Sequence, residues 1–281
     1  MKTKILSGLA MLLSAGLFMI SCDKVEEPFT KPLTLDSTIT KTVLLEDYTG
    51  HTCVNCPDAG VLSRNLKENL GENLVVIAVH AGFFAMPKEI EGFPADYRTE
   101  AGNEWNSFFG ITGYPSGMVN RKDFGNSKHI LSVGAWSAKI LEALKEPAQL
   151  DLTVTNSYNN TTRELTTTVE TEFLKAIDKN LKLVVVLTES GIVSPQKNNN
   201  AEVGVTPIIY DYVHNHVLRS CINGTWGTSI TAIGSAPQDA ISKTFTYVIP
   251  ENFVAENCEV VAFVFDDDTK EVLEAAEGEL D

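Results

Sequence analysis

Leu44-Leu45-Glu46-Asp47-Tyr48-Thr49-Gly50-His51-Thr52-Cys53-Val54-Asn55-Cys56-Pro57-Asp58-Ala59 is the stretch on which the fold turns. Its start belongs to a run from Lys41 to Tyr48 with the texture of a strand, and Pro57 stands where a first helical turn tolerates a missing amide. Val61, Leu62, Leu66 and Leu70 then recur near helical spacing until Gly71, which predicts a helix over 57–70. Leu74-Val75-Val76-Ile77-Ala78-Val79-His80 follows as an unbroken apolar run of strand length, as in a parallel strand buried on both faces. Strand, helix and strand at this spacing make a βαβ unit.

Cys53 and Cys56 stand between the first strand and the helix. A thiolate at a helix N-terminus is stabilised by the dipole and free amides, and a second cysteine two residues on can resolve a mixed disulfide. His51, when protonated, would favour the thiolate further. The rival reading, half of a zinc site, needs a second cysteine pair or a Cys/His cluster. Cys221 and Cys258 form no such pair, and His214 and His216, on one face of a predicted strand, have no evident third ligand. No metal and no organic cofactor are expected.

Downstream, Ala81 to Pro94 is irregular, and its Phe83, Phe84, Met86 and Phe93 either pack an insertion onto the sheet or cover the dithiol. A helix over 95–109, a strand over 117–121 and a closing helix over 130–144 complete this segment. Beyond Pro147 the texture changes to period-two alternation and turn residues. Strands are predicted over 150–154, 165–173, 181–187, 208–217, 244–249, 260–265 and 272–275, with Asn198-Asn199-Asn200 in a long exposed loop. Short strands without a long helix point to a β-sandwich.

Upstream, Lys2 and Lys4 precede an apolar run from Ile5 to Ile20, shorter than the roughly 20 residues a spanning helix needs. Ser21-Cys22 follows where a lipoprotein signal peptidase would cut, so 1–21 reads as a signal peptide and Cys22 as the lipidated first residue. Polar 22–40, with Pro28 and Pro32, reads as a tether that anchors the chain to a membrane. Two domains follow, 41–147 and 148–281. Net charge is −15, and cleavage of the leader makes it more negative, which disfavours nucleic acid as a partner. Four cysteines remain for an oxidising compartment. The simplest of three connectivities is Cys53–Cys56 with Cys221–Cys258, the second provided that the fold brings the two Cα atoms within roughly 7 Å.

The strand, CVNCP and helix arrangement resembles the thioredoxin family over roughly 41–147. That resemblance implies a cis-proline that pairs with substrate peptide, matched by Pro115 in Tyr114-Pro115-Ser116, and makes 81–109 look like an insertion. It also implies a buried carboxylate beneath the resolving cysteine. Counting leaves Glu46 or Asp47, of which strand alternation lets only one face inward; Glu46 is favoured because it shares a face with Leu44. Thr52 and the Val54-Asn55 pair depart from the family's usual residues, which leaves the redox direction open.

Taken whole, the lipobox with LLEDYTGHTCVNCPDA, GITGYPSGMVNR, YDYVHNHVLR and NGTWG is similar to the outer membrane protein 28-related lipoproteins of the Bacteroidetes. The resemblance implies an outer membrane lipoprotein, and Asp23-Lys24-Val25-Glu26-Glu27 is similar to that group's acidic signal for export to the cell surface. The expected architecture is an α/β thioredoxin-like domain followed by an all-β immunoglobulin-like sandwich. Two functions are expected from it. One is thiol–disulfide exchange, in which Cys53 attacks, Cys56 resolves, Pro115 holds the peptide and Glu46 relays a proton, with protein thiols or disulfides as partners. The other is surface binding or adhesion, with an inert disulfide.

Overall fold

The computed structural model describes residues 41–280 apart from 126–127 and 231–238; the expected signal peptide, lipidated Cys22 and tether lie outside the described residues. β1 (Val43–Thr49), α1 (Cys56–Leu70) and β2 (Leu74–His80) form the predicted unit, with β1 and β2 parallel. α1 starts with Pro57 in its first turn and Asp58 against the helix dipole. It stops at Gly71, whose φ of 56° suits glycine and whose N–H donates to the Lys67 carbonyl.

α2 (Glu100–Phe108) begins later than the pattern suggests because the Thr99 hydroxyl caps it by accepting from the Gly102 N–H. β3 (Ser116–Val119) runs antiparallel to β1. α3 (Trp136–Ala143) is shorter than the predicted closing helix, since Leu131 is drawn into a β-bridge with Gly117.

The remaining chain is β: β4 (Leu150–Asn159), β5 (Glu164–Phe173) and β6 (Leu181–Glu189) come first. β7 (Ile192–Val193), β8 (Gln196–Lys197), β9 (Ile208–Ile209) and β10 (Val213–His214) fold one long connection back on itself, β7 pairing with β10 and β8 with β9. β11 (Val217–Cys221), β12 (Thr228–Ser229), β13 (Ala240–Val248), β14 (Cys258–Asp266) and β15 (Val272–Glu279) complete it. The single strand predicted over 208–217 is thus two short ones, and the regular strand begins only after His216, at φ 53°.

One eight-stranded mixed sheet runs β15-β14-β6-β11-β2-β1-β3, with β12 added on β6; a second, three-stranded sheet runs β13-β5-β4. The join is β11, antiparallel to β6 and parallel to β2 through Val217 and Ala78. The segments on either side of Pro147 therefore share a sheet, and the described residues fall within one compact unit. The protein is mostly β with a few helices.

Alternation sorts the core. Leu181, Leu183, Val185 and Leu187 of β6 meet Leu165, Val169 and Phe173 of the three-stranded sheet, while Val184 and Val186 face a second cluster containing Trp105 and Phe263. In β1, Leu45 packs with Leu66 of α1 and Ile140 of α3, whereas Leu44 and Tyr48 pack with Trp105 of α2. Burying a Leu or Val side chain is worth about 1.5–3 kcal/mol, so strands apolar on both faces anchor both layers. Among the described residues no helix is long and apolar enough to cross a membrane.

Candidate functional site

Cys53 and Cys56 form a disulfide, with Cα atoms 5.4 Å apart, where β1 gives way to α1. The loop is closed by the Cys53 N–H donating to the Gly50 carbonyl at 3.0 Å. Both cysteines are nearly sealed, at 2% and 3% exposure, while Val54 between them is 39% exposed.

Two segments bond to this loop and flank it. On one side lies the aromatic loop after β2: the Thr52 N–H and hydroxyl both donate to the Phe84 carbonyl, and His51 Nε2 lies 3.1 Å from the Met86 carbonyl. Gly50 permits the approach, since a Cβ there would meet the Phe84 backbone at 2.4 Å. His51 stacks on Phe93, and burial lowers its pKa. Burial thus works against the protonated form that would favour a thiolate.

The other cover comes from the connection between β6 and β11. Residues 196–200, here termed the strap, lie along the dithiol loop. The Lys197 and Asn199 N–H groups donate to the His51 and Val54 carbonyls, and Gln196 Nε2 donates to the Gly50 and Cys53 carbonyls at 3.3 and 2.9 Å. Asn199 Nδ2 donates to Asn55 Oδ1, and Asn200 Nδ2 to Asp58 Oδ1. The Asn198-Asn199-Asn200 run expected in an exposed loop is thus a site wall, with Asn198 itself buried.

Beneath the disulfide, a cavity of about 40 Å³ is lined by Asp47, Cys56, His80, Tyr212, His214 and His216, among others. Among the described residues Asp47 Oδ1 has no hydrogen-bond partner, and desolvation raises this carboxyl to about 7. The same burial pushes the Tyr212 hydroxyl up to about 12 and holds His214 and His216 down at about 4. Gly60 of α1 admits Tyr212, whose hydroxyl a Cβ would meet at 2.5 Å.

Glu46, expected in the place of Asp47, lies on the opposite face of β1. Its oxygens accept from Arg121 Nε at 2.8 Å and Nη2 at 2.7 Å, and both side chains are fully buried. The Arg121 guanidinium in turn lies over Trp105 and Phe263. Glu46 does share a face with Leu44, but α1 covers the other one, which Asp47 shares with Leu45.

Pro115 follows a cis Tyr114–Pro115 bond; the pairing of Tyr48 with Ser116 puts it one step further on, beside Thr49, at the dithiol end of the sheet. Among the described residues Cys221 and Cys258 are free thiols, not bonded to each other, which corrects the expected second bridge. They lie on β11 and β14, which flank β6 on opposite sides, so two strand spacings of about 4.8 Å each separate them, beyond disulfide reach. Among the described residues, no three His, Cys, Asp or Glu side chains are grouped to hold a metal ion.

HBP35 of Porphyromonas gingivalis has a similar fold, at TM-score 0.58 and 18% identity over 87% of this chain and 77% of that one. A domain of the outer membrane lipoprotein Omp28 from Porphyromonas gingivalis aligns at 25% identity over 48% of this chain and 91% of its own, with TM-score 0.34. A protein of Agrobacterium tumefaciens aligns at 13% identity over 85% of this chain and 94% of its own, with TM-score 0.48. No curated protein matches the chain. The family model for outer membrane protein Omp28 matches residues 102–279, from α2 to the end of β15 and downstream of the dithiol. With more than half of its 281 residues matched, the chain belongs to the Omp28 family of outer membrane proteins.

Proposed function

We propose that this outer membrane protein, anchored through lipid on Cys22, carries out thiol–disulfide exchange with envelope or extracellular proteins through Cys53 and Cys56. The observation that carries the reading is the carboxyl of Asp47, buried in the same cavity that Cys56 lines. A structural disulfide has no use for a desolvated acid beneath it. A loop this short also restrains little unfolded-chain entropy, so the bond contributes little as a staple.

The surrounding architecture supports the same reading. β1, α1, β2, the cis bond before β3 and the α1/α3 layer fit a thioredoxin-like segment over 41–147. Over 148–281, β4, β5 and β13 packed on β6, β14 and β15 fit the A-B-E and C-F-G halves of an immunoglobulin-like sandwich.

In the proposed step, a substrate thiolate attacks Cys53 Sγ, the Cys53–Cys56 bond breaks, and the leaving Cys56 thiolate takes a proton from the neutral Asp47 carboxyl. A second substrate thiolate then attacks the mixed disulfide and releases Cys53. The substrate dithiol is oxidised by two electrons and the protein disulfide is reduced by two; the reverse runs through the same groups. Pro115, beside Thr49 at this end of the sheet, is placed to hold the substrate chain.

Burial of both cysteines favours a second reading, a surface-binding lipoprotein whose disulfide is inert. Alkylation of the reduced protein across pH, with turnover of scrambled ribonuclease, separates the two. Exchange predicts a Cys53 pKa well below the ordinary value of about 8.5 and loss of turnover in Cys53→Ser. An ordinary pKa without turnover overturns it. Protease accessibility on intact cells tells whether the substrates face the surface or the periplasm.

A further inference from the structure

The dithiol loop presents carbonyls from Gly50, His51, Cys53 and Val54, and the strap donates to every one of them. Its main-chain donors alternate: the Lys197 and Asn199 N–H groups reach the dithiol loop, while the Asn198 N–H between them turns back to the Pro207 carbonyl within its own hairpin. Alternate outward N–H groups are what an extended chain presents along one edge, here to two carbonyls three residues apart in the turn. The side chains that cross with it, Gln196, Asn199 and Asn200, are all amides, so the join consists of hydrogen bonds to a backbone and to Asn55 and Asp58. Any extended polypeptide could supply the same main-chain donors.

We propose that the strap is a tethered stand-in for substrate: a mixed disulfide forms at Cys53 only when residues 196–200 leave, and the incoming extended polypeptide then donates alternate N–H groups to the His51 and Val54 carbonyls. This rests on the thiol–disulfide exchange reading and adds to it a segment of the chain itself that competes with the substrate peptide for its binding edge. Hydrogen bonds from amide N–H groups suit such a competitor, because each is modest against water and the main-chain ones are replaced in kind by the arriving backbone. The Lys197–Glu91 ion pair lies outside this join and is exposed, so it adds little to the closure.

The test uses the full mature chain, wild type and with Gln196→Glu, which keeps the shape of the side chain but turns its donor into an acceptor facing two carbonyls. Gln196→Ala/Asn199→Pro, which removes the side-chain bonds and the N–H to Val54, is the second variant, and circular dichroism checks both folds. Reduction of Cys53–Cys56 by dithiothreitol under native conditions, read by maleimide mass shift, is expected to be about tenfold faster in Gln196→Glu, as loss of two hydrogen bonds to the loop implies, and faster again in the double variant, which loses four. Equal rates in folded variants and wild type overturn the strap as a gate. An extended single-cysteine peptide is then compared with its analogue N-methylated at alternate backbone positions, using the opened variant. Slower exchange for the N-methylated peptide supports the docking edge, and equal exchange overturns it. Fast reduction of the opened variant without turnover of scrambled ribonuclease sinks the exchange function while leaving the gate standing.

Discussion

Asp47→Asn isolates the acid beneath the disulfide. The carboxyl titrates at about 7 in the folded chain against 3.8 when free, and the cause is desolvation. The folded state thus holds this proton more tightly than the unfolded chain does. The stability gained from protonation is complete below pH 3.8 and is lost as the pH rises through 7, leaving a cost of about 4 kcal/mol in the ionised protein at 1.36 kcal/mol per unit. The asparagine variant has no such cost. Urea unfolding of both oxidised proteins should show the variant gaining on wild type by about 3 kcal/mol between pH 5 and pH 8, nearly all of it by pH 7.5. Parallel stability curves, offset by a constant, would mean that Asp47 ionises at its ordinary pKa in the fold, and the buried-acid argument would fail with them.

Arg121→Met leaves Glu46 charged and unpaired in the core and should cost about 3–5 kcal/mol in urea unfolding, with Glu46→Leu added to it recovering most of the loss. Alkylation of the unreduced, denatured protein should label Cys221 and Cys258 and leave Cys53 and Cys56 until a reductant is added, read by peptide mass mapping. His214 falls from 6.5 to about 4 on burial, so its contribution is complete above pH 6.5 and lost as the pH falls through 4. His214→Gln should therefore lose about 3 kcal/mol less than wild type between pH 7 and pH 4, by thermal or urea unfolding.

What the sequence discloses follows how local each determinant is. The βαβ unit was legible because Val75, Val76 and Ile77 record burial on both faces and Pro57 and Gly71 mark the ends of α1. The choice between Glu46 and Asp47 was not, because β1 is apolar on both faces and nothing within it says which face α1 covers. Arg121, more than seventy residues away, decides the matter by meeting Glu46 on the far side. The strap was missed for a related reason. A run of asparagines reads as solvated, yet Asn198 is satisfied indoors by the Asn200 and Gly204 carbonyls, a bond pattern that leaves no periodic trace. The Cys221–Cys258 pairing failed because counting thiols says nothing about β6 standing between them.

The route by which the strap reaches the dithiol has its own logic. β6 and β11 are antiparallel neighbours, with Glu189 opposite Val217, and such strands can be joined by two to five residues. The chain instead makes the excursion from Ser190 to His216, leaving and returning at the same point of the sheet. That point is beside Ala78, near the end of β2, level with the end of β1 that leads into the dithiol loop. The sheet does not need the extra length; the dithiol does, since the excursion carries Gln196, Tyr212 and His214 into the cover and the cavity wall. Replacing residues 191–215 by a short glycine-rich turn should therefore preserve the β6–β11 pairing and cooperative unfolding. It should also make Cys53–Cys56 readily reducible and return Asp47 toward 3.8, read from the pH dependence of stability. A folded variant that still resists dithiothreitol would show that the aromatic loop around Phe84 alone seals the site, and the division of labour drawn between the two covers would be wrong.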